Sequence, residues 1–135
     1  MHRIVIRENE AEVFDRGGGV QSIPLMSGAR GSQNVSTGMT IMQPGAGLPL
    51  HFHDTEECIT CVEGIASCEI DGEQLTMQPF DHVWIPEGAH HRFWNDGAVP
   101  MRIVWTYGKA EVSRTFVASG QTVRHMSSDD VAEPG

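Results

Sequence analysis

Two short histidine-bearing segments hold the residues best suited to chemistry. His51, Phe52 and His53 stand in the first, with Glu57 shortly after them, and His91 stands in the second. On an extended chain alternate side chains share a face, so His51 and His53 point one way and Phe52 the other. Three imidazoles and one carboxylate make a mixed nitrogen and oxygen set for one divalent transition metal. Fe, Mn, Ni, Cu, Co and Zn all accept such donors, and ligand identity alone does not choose among them. Two neighbours compete for these places. His90 stands beside His91, although alternation turns it to the other face. Glu56 is the stronger rival to Glu57, because the connection ahead of it is irregular. His2, His82 and His125 read as surface or satisfied core histidines.

The spacing of these residues resembles the two motifs of the cupin family. Gly45, five residues, His51-x-His53, three residues, Glu57, six residues and Gly64 fill every fixed position of the first motif. Pro86, Gly88, His91 and Asn95 fill the second, with Phe80 standing where the family usually has glycine and Asp81 following it as is common. The resemblance implies an all-β double-stranded β-helix, or jelly-roll, barrel. It favours His91 over His90 and implies a metal held by His51, His53, Glu57 and His91. It does not choose an activity, since cupins include dioxygenases, isomerases, epimerases, decarboxylases, lyases and proteins that only bind or store.

The elements that must position these ligands are short strands. Residues 66–70 and 73–77 flank Asp71-Gly72, a strong hairpin signal. Residues 20–25, 39–43, 57–63, 83–85, 91–95, 101–107 and 112–117 continue the pattern between Gly, Pro and Asn-Asp turns. Residues 2–7 are a further candidate, on a sheet edge or against a partner subunit. Residues 27–33 read as a polar loop, and 127–135 as a frayed acidic tail. Many short strands closing on themselves predict one barrel domain over residues 1–135. Its core would span about 20–118, with an N-terminal strand and glycine-rich loop over 1–19 and a tail over 119–135.

Alternation also predicts the lining around the metal. Glu57, Ile59 and Cys61 share a face, as do His91, Phe93 and Asn95, with Arg92 and Trp94 opposite. Met101, Ile103, Trp105 and Tyr107 form the apolar face of their strand. Ile59, Phe93, Trp105 and Tyr107 are therefore the substrate-pocket candidates, in a cavity with few polar groups besides the ligands. Such a cavity suits an apolar, enolic or aromatic small molecule that presents one or two oxygens to the metal. Trp84, Trp94 and Trp105 otherwise read as packing residues, and Tyr107 as a core cap or a proton donor.

These residues point to a metal-dependent enzyme, with a dioxygenase expected first and Glu57 as its catalytic base. A metal-dependent isomerase or lyase is the alternative, as is a non-catalytic ligand-binding barrel. Composition narrows the partners. The chain has 135 residues, 39% hydrophobic and 20% charged, with a net charge of −9 and no basic cluster, which excludes a nucleic-acid surface of the usual kind. No apolar run approaches a membrane span, so a cytoplasmic protein is expected. Open strand edges make a homodimer the expected assembly. Cys58 and Cys61 form a C-x-x-C string, but residues three apart on a strand face opposite ways, so they read as packing residues.

Overall fold

Alternating burial runs through the strands at the centre of the fold, such as Ser36–Met42, Glu57–Glu63 and Met101–Tyr107, and it turns one face of each sheet toward the other. The computed structural model describes residues 5–132. Its strands are β1 (Phe14–Gly17), β2 (Val20–Met26), β3 (Ser36–Met42), β4 (His51–His53), β5 (Glu57–Glu63) and β6 (Ala66–Ile70). They continue with β7 (Glu73–Met77), β8 (His82–Ile85), β9 (His91–Trp94), β10 (Met101–Tyr107), β11 (Ser113–Phe116) and β12 (Thr122–Arg124). One sheet runs β1-β2-β3-β10-β5-β8 and the other β12-β11-β4-β9-β6-β7. All these pairings are antiparallel. The only helical turns among the described residues are 3-10 turns at Glu8–Glu10 and Gly28–Arg30. The fold is the jelly-roll barrel expected from the sequence.

The core lies between the sheets. Ile59, Cys61, Met42, Phe93, Met101, Ile103, Trp105 and Tyr107 are all buried there. Full burial of one such large side chain contributes about 1.5–3 kcal/mol. Trp105 has room because its partner across the ladder is Gly38, where any Cβ would overlap the indole ring. The indole Nε1–H then donates to Thr40 Oγ1 at 2.9 Å, so the one polar atom of the ring is satisfied.

Turns follow their residue types. Asp71 and Gly72 both have positive φ, 48° and 85°, as a tight two-residue hairpin requires. Phe80 also has positive φ, 76°. It therefore keeps the left-handed backbone that a glycine at this place would adopt freely, while its side chain is 81% exposed.

Two expectations are corrected. Of residues 2–7, positions 2–4 lie outside the described residues, and Val5, Ile6 and Arg7 form no strand. The frayed tail expected over 127–135 does not hold over its described part, since Asp130 is only 3% exposed, with its carboxyl bonded by both Arg16 and Arg114. Just ahead of it, Thr122–Arg124 forms β12. Arg16 Nε also donates to the Asp130 carbonyl at 3.0 Å, and the Met126 amide donates to Asp130 Oδ2 at 2.9 Å. A polar, acidic stretch read as tail because its cationic partners stand far away in sequence.

Candidate metal centre

Strand register assembles the site. His51 lies opposite His91 across β4 and β9, Arg114 lies opposite His53 across β11 and β4, and Tyr107 lies opposite Glu57 across β10 and β5. The histidines belong to one sheet and Glu57 to the other, so the four side chains converge between them. All four are buried. The ligand atoms of His51, His53 and His91 lie within 4.8 Å of one another, a grouping able to hold a metal ion. Glu57 Oε1 reaches to 3.2 Å from His91 Nε2 and 3.6 Å from His53 Nε2.

Each imidazole is oriented from behind by a carbonyl. His51 Nδ1 lies 2.7 Å from the Pro49 oxygen, His53 Nδ1 3.0 Å from that of Ser113, and His91 Nδ1 2.9 Å from that of Ala89. A carbonyl can only accept, so each Nδ1 carries the hydrogen and each Nε2 is left with a free lone pair. This is the tautomer that metal binding needs. Electrostatics keep it so. Burial, reinforced by the neighbouring His91 and His53, holds His51 well below the ordinary imidazole value. Burial also lowers His53, against the opposing pull of Glu57.

The donor set fits a cation. Glu57 Oε1 and His91 Nε2 are buried and have no hydrogen-bond partner among the described residues. Two acceptor atoms meeting without a proton or donor between them are costly in a protein interior. A divalent ion satisfies both.

The rivals turn away. His90 is exposed and stacks on Phe52, with ring centroids 5.2 Å apart. Glu56 is exposed and accepts a hydrogen bond from Trp84 Nε1 at 2.9 Å. His82 is likewise exposed, against Thr60. Cys58 and Cys61 face opposite ways and are free thiols, as is Cys68, which burial pushes up to about 11.

Ile59, Phe93, Trp105 and Tyr107 all line the chamber beside the triad, together with Leu48 and Ile103. Two features of that chamber differ from expectation. It leaves only about 20 Å³ for the centre of a water molecule, roughly one water, so no aromatic body fits inside. It is also more polar than alternation along single strands suggested, because Thr40, Arg114 and His125 share its wall. A larger cavity, about 350 Å³ by the same measure, lies on the other side of Trp105 and His125, which line both. Phe14, Pro24, Met26 and Met126 give it an apolar surface, and Arg30 and Arg124 with Glu12 and Glu111 add charge of both signs.

His125 is, with Thr40 and Arg114, a site residue that sequence reasoning missed. Its Nε2 lies 3.3 Å from Tyr107 Oη, which lies 3.2 Å from His53 Nε2. It packs edge-on against Trp105 and Tyr107, each with centroids 4.9 Å away. Burial holds it well below the ordinary imidazole value, and burial with the Glu57 charge beside it raises Tyr107 well above the ordinary phenol value. Nothing in the local pattern near His125 distinguishes it, since it arrives on the segment after β12.

Residues 38–107 match the model of the Cupin domain family, Cupin_2, just over half of the chain. The chain is a cupin. Among curated relatives, this cupin is 32% identical over 91 residues to the Streptomyces cyaneus protein named Polyketide synthase CurC. That match covers 67% of this chain and spans 58% of CurC's length. Among solved structures, an RmlC-like cupin from Shewanella frigidimarina superimposes with a TM-score of 0.70 at 18% identity, covering 82% of this chain and 96% of that one. A Bacillus subtilis oxalate decarboxylase studied for its Mn(II) centres superimposes with a TM-score of 0.72 at 22% identity, covering 82% of this chain and 31% of that one. Among the described residues no helix is long and apolar enough to cross a membrane.

Proposed function

We propose that this cupin is a metal-dependent enzyme, with one divalent transition metal held by His51, His53, His91 and Glu57. Its reaction, on this reading, is the dioxygenation of an enolic or aromatic small molecule. The carrying observation is the orphaned pair, Glu57 Oε1 and His91 Nε2, buried and 3.2 Å apart. When bound, the metal supplies Lewis acidity and, for a redox-active ion, passage of electrons between substrate and O₂. The chain's own residues do the rest. Glu57 accepts a proton from the substrate hydroxyl. Tyr107, kept neutral by burial, donates one. Trp105 and His125 separate the chamber from the outer cavity, which receives the body of the substrate while only an oxygen-bearing edge passes between them. The similarity to the protein named Polyketide synthase CurC supports a polyketide as the substrate.

A metal-dependent isomerase or lyase is the second reading, favoured by the buried run from His53 through Tyr107 to His125, which suits proton transfer without oxygen. Metal analysis of the purified protein and of His51→Ala, with oxygen uptake followed on enolic and phenolic compounds, tests both. Stoichiometric metal lost in the variant, with substrate-dependent uptake, supports dioxygenation. Substrate conversion in the absence of oxygen supports the second reading, and a protein that takes up no metal refutes both. The reading includes a homodimer, supported by the open edge of β8, where Trp84 is 58% exposed. A monomer by light scattering at micromolar concentration refutes that part.

A further inference from the structure

Arg114 stands on the inward face of β11, directly opposite His53 and only 2% exposed. Its Nη1 donates to Asp130 Oδ1 at 2.7 Å. Its Nε is buried and has no hydrogen-bond partner among the described residues. A guanidinium N–H left unpaired in a protein interior is as costly as an unpaired acceptor, and it calls for an oxygen. The same side chain lines the small chamber that His51, His91 and Glu57 also line.

Charge points the same way. Arg16 and Arg114 share one carboxyl, that of Asp130, so at least one of the two positive charges has no matching anion within that cluster. Arg16 is otherwise occupied, since its Nε donates to the Asp130 carbonyl and its Nη1 to Ser22 Oγ at 3.3 Å. Arg114 alone of the two reaches the chamber and keeps a free donor.

We propose that the chamber is an oxyanion site and that Arg114 determines the specificity of the enzyme for anionic ligands. The oxygen of a carboxylate, enolate or phenolate enters beside the triad and accepts the Arg114 Nε–H. Neutral ligands of the same shape accept that N–H only through an uncharged oxygen, a bond about half as strong that leaves the guanidinium charge unmatched, and are disfavoured. This assignment rests on the metal-binding reading above for the identity of the site, and it narrows the substrate class to one ionised when bound.

Formate is the smallest carboxylate probe, needing to place only one oxygen in the chamber. It is titrated into protein with and without stoichiometric zinc, following the Arg114 Nε–H and Trp105 indole N–H resonances. In wild type both resonances move together and saturate. Arg114→Lys keeps a cation for Asp130 but lacks the Nε–H, and it is expected to weaken formate about tenfold or more, the loss of one charge-assisted hydrogen bond. Arg16→Lys is the matched control, because it disturbs the same carboxyl without reaching the chamber, and it is expected to leave formate affinity within about twofold of wild type. Equal affinity in wild type and Arg114→Lys overturns the proposal. An equal loss in both lysine variants overturns it too, since Arg114 then acts only through Asp130. Failure to take up zinc, with formate binding still dependent on Arg114, refutes the metal reading and leaves this one standing.

Discussion

The Tyr107 hydroxyl lies 3.2 Å from His53 Nε2, on the lone pair that a metal needs. His53 Nδ1 carries the ring hydrogen, because it faces the Ser113 carbonyl, so the phenol is the donor in this contact. His125 Nε2 lies 3.3 Å from the same hydroxyl, and its tautomer decides which of the two donates. Metal binding and the Tyr107–His53 hydrogen bond are therefore exclusive. Removing the hydroxyl removes the competition. Tyr107→Phe is expected to bind zinc up to about tenfold more tightly, the value of one net hydrogen bond. Competition against a chromogenic chelator measures this, and unchanged or weaker affinity contradicts the exclusivity.

Acid should destabilise the metal-free protein through its buried histidines. His51, His53 and His125 are all held below the ordinary value of 6.5, in each case chiefly by burial. A base with a depressed folded pKa stays neutral in the folded chain while the unfolded chain takes up a proton. Stability is thus complete above about pH 6.5 and declines as pH falls below it, by up to about 1.4 kcal/mol per pH unit for each such group. Urea unfolding at pH 7.5, 6.5 and 5.5 reads the slope. Stability that does not change across this range would show that these imidazoles protonate as freely folded as unfolded.

Metal should stabilise the fold by mass action. The ligands come from three strands, β4, β5 and β9, in two different sheets, so an ion that binds them ties the sheets together only in the folded state. Zinc at a hundred times its dissociation constant is expected to add about 2.7 kcal/mol, and a chelator to remove it. His91→Ala should abolish the increment while remaining folded. A thermal midpoint indifferent to zinc and chelator in the wild-type protein sinks the expectation.

The inward faces of β5, β9 and β10 were legible in the sequence because strand alternation has a period of two and each strand buries one side. Ile59, Phe93 and Trp105 fall inside on that argument alone, and the histidine spacing added the three imidazoles that gather beside them. What alternation cannot carry is contact between distant segments. Arg16 and Asp130 are 114 residues apart and meet only because β1 and the segment after β12 close the same end of the barrel. His125 and Arg114 enter the chamber by the same long-range packing, so the wall looked greasier in sequence than it is. The size of the chamber was also invisible, since it depends on how the Trp105 and His125 rings lean on each other.

Phe80 stores backbone strain that glycine does not have. A non-glycine residue in the left-handed region costs about 1–2 kcal/mol, and Phe80 recovers little by packing, being 81% exposed. Phe80→Gly is expected to raise stability by about 1 kcal/mol, some of the gain being offset by the greater freedom of glycine in the unfolded chain. Phe80→Ala is the control, since it loses the ring but keeps the Cβ and hence the strain. Equal effects of the two substitutions in thermal unfolding would assign the change to the aromatic ring instead.

Asp130 holds the C-terminal segment against the barrel. Its carboxyl serves both Arg16 and Arg114, each side chain at most 3% exposed, and it also accepts the Met126 amide. Removing it leaves two guanidiniums buried without an anion, and breaking a buried pair in this way costs about 3–5 kcal/mol. Asp130→Ala is therefore expected to lose most of that amount in urea unfolding. Asp130→Asn keeps the acceptor oxygen and the shape and should lose less. The damage should spread to the site, because the segment that Asp130 anchors carries His125, so faster hydrogen exchange at the Met126 and His125 amides is expected in Asp130→Ala. A loss under about 1 kcal/mol with unchanged exchange would mean that apolar contacts, not this carboxyl, hold the segment in place.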